Sequence, residues 1–444
     1  MIRRASTMRV TRVQLAVVAA VSVTATALIL IAATGRTAAQ SAALAALRHR
    51  EQIVQGGGGD SAGSASASAS DPELSSGTPP AAAATQASTQ PASSSSDQAA
   101  GNTGAGAGAG ATTTTTTTTT PPSSSKSNRL PVDHVFVIAL STTSYDAAFG
   151  SGSVAHYLNH TLKPQGTLLG GYQSLGRTAL PDYLALVSGQ PANADTDSGC
   201  PTYADFPSDA IPAANGTIAA DGCVYPNTVL TIGDQVTSAG HAWKAYMEEL
   251  GATACPHPDS GAVDDAQPHG AGPLYDGRHN PFIYFHSLLD LGGCASNDVS
   301  LTQLPRDLRK SSTAPAYAYL APDACAEATA VSCPGGGKVG LAAEDAFLKK
   351  WVPVITRSSA YKQSGALLIT FAPPIGTIGT APAGNEPIPT GALVLSRFTP
   401  RNQIVSTIYD PDSVLRVVED LLGLKPLGMA AKAKSFAAKA FTNK

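Results

Sequence analysis

Apolar and polar positions are not mixed evenly along the chain; they change character in blocks. Residues 13–35 carry no charge and read VQLAVVAAVSVTATALILIAATG. Residues 55–128 hold almost no large apolar side chain and consist of runs such as GGGG, SASASAS, GAGAGAG and nine threonines. Short apolar runs return from about residue 130. Residues 134–140, HVFVIAL, are continuously apolar after His134, rich in β-branched side chains, and bounded by Pro131 and by Ser141, Thr142 and Thr143. Such a run predicts a strand buried on both faces, as in a parallel sheet. Residues 366–371, ALLITF, and 391–396, GALVLS, are two more runs of this kind. Helical spacing covers 181–188, 229–239, 341–355 and 413–422. Buried strands alternating with helices predict a three-layer α/β sandwich with a mainly parallel central sheet. The Gly-, Pro- and Cys-rich stretches 190–228 and 252–335 are expected to be surface-loop insertions.

The first block sets the topology. Residues 1–12 contain Arg3, Arg4, Arg9 and Arg12 and no acid. A basic flank before a charge-free span of bilayer length predicts a cytoplasmic N-terminus and a transmembrane anchor over 13–35. A cleaved signal peptide is the competing reading, because small residues follow at 37–39. The first reading makes a single-pass cell-membrane protein and the second a secreted one; in both, the rest of the chain is exported. Residues 36–128 then form a juxtamembrane segment, with a short helix over 40–54, and a disordered stalk whose composition cannot offset its ordering entropy. The folded domain spans 129–444.

Charge adds an exclusion. The net charge is −3 with 14% charged residues, which offers no electrostatic footprint for nucleic acid. The six cysteines, Cys200, Cys223, Cys255, Cys294, Cys325 and Cys333, all follow the stalk. An even set behind an export segment reads as disulfides. Fifteen pairings are open to six cysteines; sequential pairing is favoured because each bridge would staple one loop-rich segment. Free or metal-binding thiols are the competing reading, although no CxxC spacing supports a zinc site.

Ligands of open α/β sheets gather at the carboxyl ends of the strands. The first apolar run is followed by Ser141-Thr-Thr-Ser-Tyr-Asp146 and the second by Ala372 and Pro373. A divalent cation at such a place would want carboxylates to hold it. This chain supplies hydroxyls, a methyl group and an imino acid.

Seven stretches, in order, carry a resemblance. They are Ser144-Tyr-Asp-Ala-Ala-Phe-Gly150 after the first strand, LPDYLALVSG at 180–189, WKAYME at 243–248, RHNPFIYF at 278–285, DAFL at 345–348 through Val352 and Pro353, Ala360-Tyr-Lys362, and VVEDLLGL at 417–424. From about 132 to 431 the chain resembles the bacterial phosphoesterase family of phospholipases C and acid phosphatases, within the alkaline-phosphatase-like superfamily. The resemblance implies that superfamily's fold and a hydrolase acting on ester bonds with a divalent metal. It also places the family's working residues. Ser141 and Thr142 stand where the family has a metal-binding Glu-Asn pair, and Ala372 and Pro373 where it has an acidic pair. Ala179 stands at the nucleophile, Asp182 at an Asn, Pro411 and Thr329 at two histidines, and Arg177 at another. Alanine has no lone pair to attack phosphorus.

The residues left as catalytic candidates are Thr178, Asp182 and His279, with Arg177 and Asn280 for an anionic or phosphate-ester ligand. Each has a plainer reading. Thr178 would cap a helix, Asp182 would suit a first helical turn, His279 would be a structural imidazole, and Arg177 would be solvated. The resemblance therefore leads to an impaired phosphoesterase, a pseudoenzyme or ligand-binding module with no cofactor. The alternatives are an active phosphoesterase with a rearranged site, aided by Asp146 or Asp410 and a divalent metal, and a structural cell-surface protein.

Overall fold

The computed structural model describes residues 130–263, 271–327, 333–374 and 386–442. The 13–35 span, the 40–54 segment, the stalk and Thr329 lie outside them. Among the described residues no helix is long and apolar enough to cross a membrane.

Strand β1 (His134–Ser141) is the first apolar run, and seven of its eight residues are buried. The rest of one eight-stranded sheet is built from β2 (Thr167–Leu169), β3 (Trp243–Met247), β4 (Asp298–Ser300), β5 (Tyr317–Ala321), β6 (Gly365–Ala372), β7 (Ala392–Ser396) and β8 (Gln403–Val405). Their order is β4-β3-β5-β1-β6-β7-β2-β8. Strand β1 pairs in parallel with β5 and β6, in a register that sets Ser141 beside Ala372. Alternate β1 side chains enter different cores. Val135, Val137 and Ala139 join one with α1 (Ala179–Ser188), α2 (Ile232–Ser238) and α5 (Pro411–Leu422). Phe136, Ile138 and Leu140 join the other with Leu348, Trp351, Val352 and Ile355 of α3 (Leu341–Arg357). A short α4 (Ser359–Ser364) leads into β6. The result is the expected three-layer α/β sandwich with a mainly parallel sheet. Each fully buried aliphatic side chain contributes roughly 1.5–3 kcal/mol, so a strand filling two cores at once is costly to displace.

The helices start and stop for local reasons. Asp410 caps α5 by accepting from the Ser413 amide at 2.8 Å, Pro411 occupies the first helical position, and Gly423 ends the helix at φ 73°. Thr231 and Asp234 form a capping box at the start of α2.

Two expectations need correction. The third apolar run, β7, lies antiparallel to both β6 and β2. Periodicity reports burial and not strand direction. The 252–335 stretch is also not all surface loop, because it holds β4 and β5, and β5 lies directly beside β1. Strand β5 alternates Tyr with Ala over most of its length and has no long aliphatic run to mark it.

The cysteines pair sequentially: Cys200–Cys223, Cys255–Cys294 and Cys325–Cys333. The first closes a segment with little regular structure around Tyr203, Phe206 and Ile218, all buried against the helical face. Replacing Cys200 and Cys223 together by Ser is expected to lower thermal-unfolding stability by roughly 2–4 kcal/mol. An unchanged melting temperature would show that packing alone orders this segment.

Candidate active site

The carboxyl ends of β1 and β6 and the first turn of α1 converge, as the Tyr183 hydroxyl of α1 lies 3.3 Å from the Leu140 carbonyl of β1. Ala179, on which the resemblance puts the nucleophile, is the first residue of α1 and is fully buried. Thr178 is the residue before the helix, but its side chain does not cap it. Its Oγ1 instead donates to the Asp197 carbonyl at 3.2 Å. Arg177 is tied to the same residue, its amide to Asp197 Oδ1 at 2.6 Å and its Nε to Oδ2 at 2.8 Å. Asp182 is buried and accepts through Oδ1 from the Leu175 and Gly176 amides, at 2.7 and 3.2 Å. It thus holds the loop leading into α1. Burial raises its pKa well above the ordinary carboxylate value against the pull of those two amides, and the nearby Asp412 and Asp410 add to the rise. Asp412 is pushed up to about 8 by burial and by Asp410. Asp410 itself is occupied as the α5 cap, and Asp146 is exposed in the short helix Tyr145–Phe149.

His279 and Asn280 part company. Asn280 is fully satisfied, donating to the Tyr275 hydroxyl at 2.9 Å and Asp298 Oδ2 at 2.7 Å and accepting from the Phe282 amide at 3.2 Å. Its role is to fix the 275–298 fold. His279 has no hydrogen-bond partner on either ring nitrogen, although it is 2% exposed. Its Nε2 lies 3.8 Å from Glu327 Oε2 and 3.9 Å from Asp276 Oδ2. Asp276 is burdened by burial, yet His279 and a bidentate pair with Arg278, at 3.0 and 2.8 Å, hold it below its ordinary value.

The reading from sequence missed Glu327 and Glu344. Glu344, in the first turn of α3, is completely buried and accepts from the Ser141 amide at 2.6 Å. Glu327 accepts from the Tyr183 hydroxyl at 3.2 Å. Burial raises both carboxyls; for Glu344 the charge of Glu327 adds to the rise, and for Glu327 the nearby His279 opposes it. The Ser141 hydroxyl is close enough to both to favour their ionised forms, but Glu327 Oε1 and Glu344 Oε2 keep no hydrogen-bond partner. An acid in a first helical turn reads in sequence as a dipole partner; only the fold turns Glu344 inward.

The family implies a divalent metal, and the donor chemistry at its ligand positions does not fit one. Ala372 and Pro373 offer no side-chain donor, and the Thr142 hydroxyl donates to the Ser144 carbonyl at 3.1 Å. Among the described residues the one set of three His, Cys, Asp or Glu side chains within ligand reach of one another is Cys255, Cys294 and Asp298. Its two cysteines form a disulfide and have no thiolate to offer.

The buried acid pair has a pH consequence. The Glu344 carboxyl is raised on folding, so the stability it contributes is full below its unfolded value and is lost as pH rises through the folded one. Glu344→Gln keeps the carbonyl that accepts from Ser141 and removes the proton equilibrium. It is expected to match the parent chain near pH 4–5 and to exceed it by roughly 1–3 kcal/mol at alkaline pH. A stability difference that does not change between these limits would contradict the assignment.

A profile of the Phosphoesterase family matches residues 154–425. No curated protein sequence matches the chain. Among solved structures, it is similar to a protein in the alkaline phosphatase superfamily from Vibrio parahaemolyticus, with 12% identity, a TM-score of 0.43, and coverage of 67% of this chain and 69% of that one. It is also similar to the PsFucS1 sulfatase from Pseudoalteromonas, at 10% identity and a TM-score of 0.38, covering 66% and 68%. A third is the C-terminal periplasmic domain of EcEptC from Escherichia coli in complex with zinc, at 11% and 0.36, covering 68% and 84%. With its profile match spanning more than half its length, the chain belongs to the phosphoesterase family.

Proposed function

We propose that this protein is an extracytoplasmic, membrane-tethered member of its family that does not catalyse phosphoryl transfer and works as a ligand-binding or structural module. The observation that carries the proposal is the start of α1. A buried alanine holds the nucleophile position, and the neighbouring hydroxyl of Thr178 is engaged with backbone. The metal positions argue in the same direction, because Ser141, Thr142, Ala372 and Pro373 include no carboxylate. Nucleophile and metal act as one unit in such enzymes, so restoring one part returns little. Export is supported by the charge-free 13–35 span and by three disulfides, which persist in oxidising compartments. The span as an uncleaved anchor makes the membrane the protein's first partner.

One observation favours the second reading, an active phosphoesterase with a rearranged site. Glu327, Glu344 and His279 bring two carboxyls and an imidazole with unpartnered atoms to the strand end where the family works. Metal analysis of the purified full chain, with p-nitrophenyl phosphate and phosphocholine-ester assays across divalent cations, separates the two. Under the proposal no cation stimulates turnover, and Ala179→Ser stays at background. Stoichiometric metal with turnover that falls in Thr178→Ala, Asp182→Asn or Glu344→Gln would establish the active reading instead.

A further inference from the structure

The end of the sheet opposite Ser141 carries a cleft that the family's chemistry does not involve. Strand β7 runs against β6, so its last residue, Ser396, pairs with Ala366 at the start of β6. The turn after β7, the end of α4 and the segment leading into β2 therefore meet at the amino end of the central strands. They enclose a cavity of about 490 Å³. Lys362, Arg397 and Arg401 line it, and no carboxylate does. In a chain of net charge −3 this is a local concentration of positive charge and not a general background. Among the described residues none of the three cations is in a salt bridge.

Two features make the cleft a built site and not a chance cluster. Arg397 is held in place, with its Nη1 donating to the Lys362 carbonyl at 3.4 Å and its guanidinium 5.3 Å from the Phe398 ring centre. Thr399, 3% exposed, is one of the residues lining the same cavity, and its Oγ1 has no hydrogen-bond partner. A buried hydroxyl without an acceptor is unfavourable, and an oxyanion in the cleft would supply that acceptor. Tyr361 adds a phenol that burial keeps protonated and therefore able to donate.

We propose that this cleft binds a phosphate or sulfate group carried on a small ligand. Arg397 presents its planar fork to two anionic oxygens, Lys362 and Arg401 flank it, and the Thr399 hydroxyl donates to a third oxygen. The cavity lies within the size range of small-molecule sites, which leaves room for the body of a phosphorylated or sulfated headgroup. The site is independent of Thr178, Ala179 and the Glu327–Glu344 pair, so it stands or falls apart from the proposed loss of catalysis.

Calorimetric titration of the full chain in nonionic detergent, with inorganic phosphate, inorganic sulfate and glycerol 3-phosphate as probes, tests it. Saturable binding of at least one probe is expected, weakened tenfold or more by Lys362→Gln with Arg401→Gln. Arg309→Gln with Lys349→Gln removes the same charge from exposed positions outside the cleft and is expected to leave affinity within twofold. Thr399→Val is expected to weaken binding several-fold while the melting temperature holds or rises. Doping the detergent with phosphatidylglycerol distinguishes the source. Competition with the bound probe assigns a lipid headgroup, and no competition assigns a soluble ester; both support the site. Absence of saturable binding by all three probes, or equal weakening by both charge-removing pairs, would overturn it.

Discussion

Strand β1 is apolar on both faces, and the molecule is arranged to cover it. Val135, Val137 and Ala139 require one helical layer, Phe136, Ile138 and Leu140 require another, and parallel neighbours β5 and β6 are required for its backbone. These demands place α1, α2 and α5 on one side and α3 on the other. They also bring the first turns of α1 and α3 to the end of β1, where Tyr183 reaches the Leu140 carbonyl and Glu344 reaches the Ser141 amide. The location of the site is thus a by-product of burying one strand.

Several groups around that location hold structure. Asp182 binds the loop amides at Leu175 and Gly176, the Thr178 hydroxyl binds the Asp197 carbonyl, and Asp410 caps α5. Each group satisfies the backbone in its own neighbourhood, and buried backbone groups left unpaired are expensive. Glu327, Glu344 and His279, like the second carboxyl oxygen of Asp182, retain unpartnered atoms in a dry environment. Burial raises both carboxyls, which lessens the cost of enclosing two acids side by side by favouring their neutral forms. The strand end that carries Ser141 and Ala372 thus keeps acids, reached from α3 and from the loop after β5.

The two ends of the sheet consequently differ in electrical character. The carboxyl end of β1 gathers acids and an imidazole out of water, while the amino end of β6 gathers cations around an open cleft. The antiparallel insertion of β7 is responsible for the second. A parallel β7 would have delivered Arg397 and Arg401 to the acidic end.

Much of this was legible in the residues. The 134–140 and 366–371 runs marked the two central strands because continuous apolarity with β-branching has few other uses at that length. Seven other stretches, LPDYLALVSG and RHNPFIYF among them, carried the family resemblance. Cysteine order was enough to anticipate the bridges, since each closes a neighbouring loop. By itself the sequence determined the strand core and the scaffold, because these depend on local composition and on order along the chain. Strand direction, the place of β5 beside β1, the burial of Glu327 and Glu344, and the meeting of Lys362 with Arg397 and Arg401 were decided only by tertiary structure. They join residues between 17 and over 180 positions apart, and no periodicity along a chain records which distant segments will share a volume.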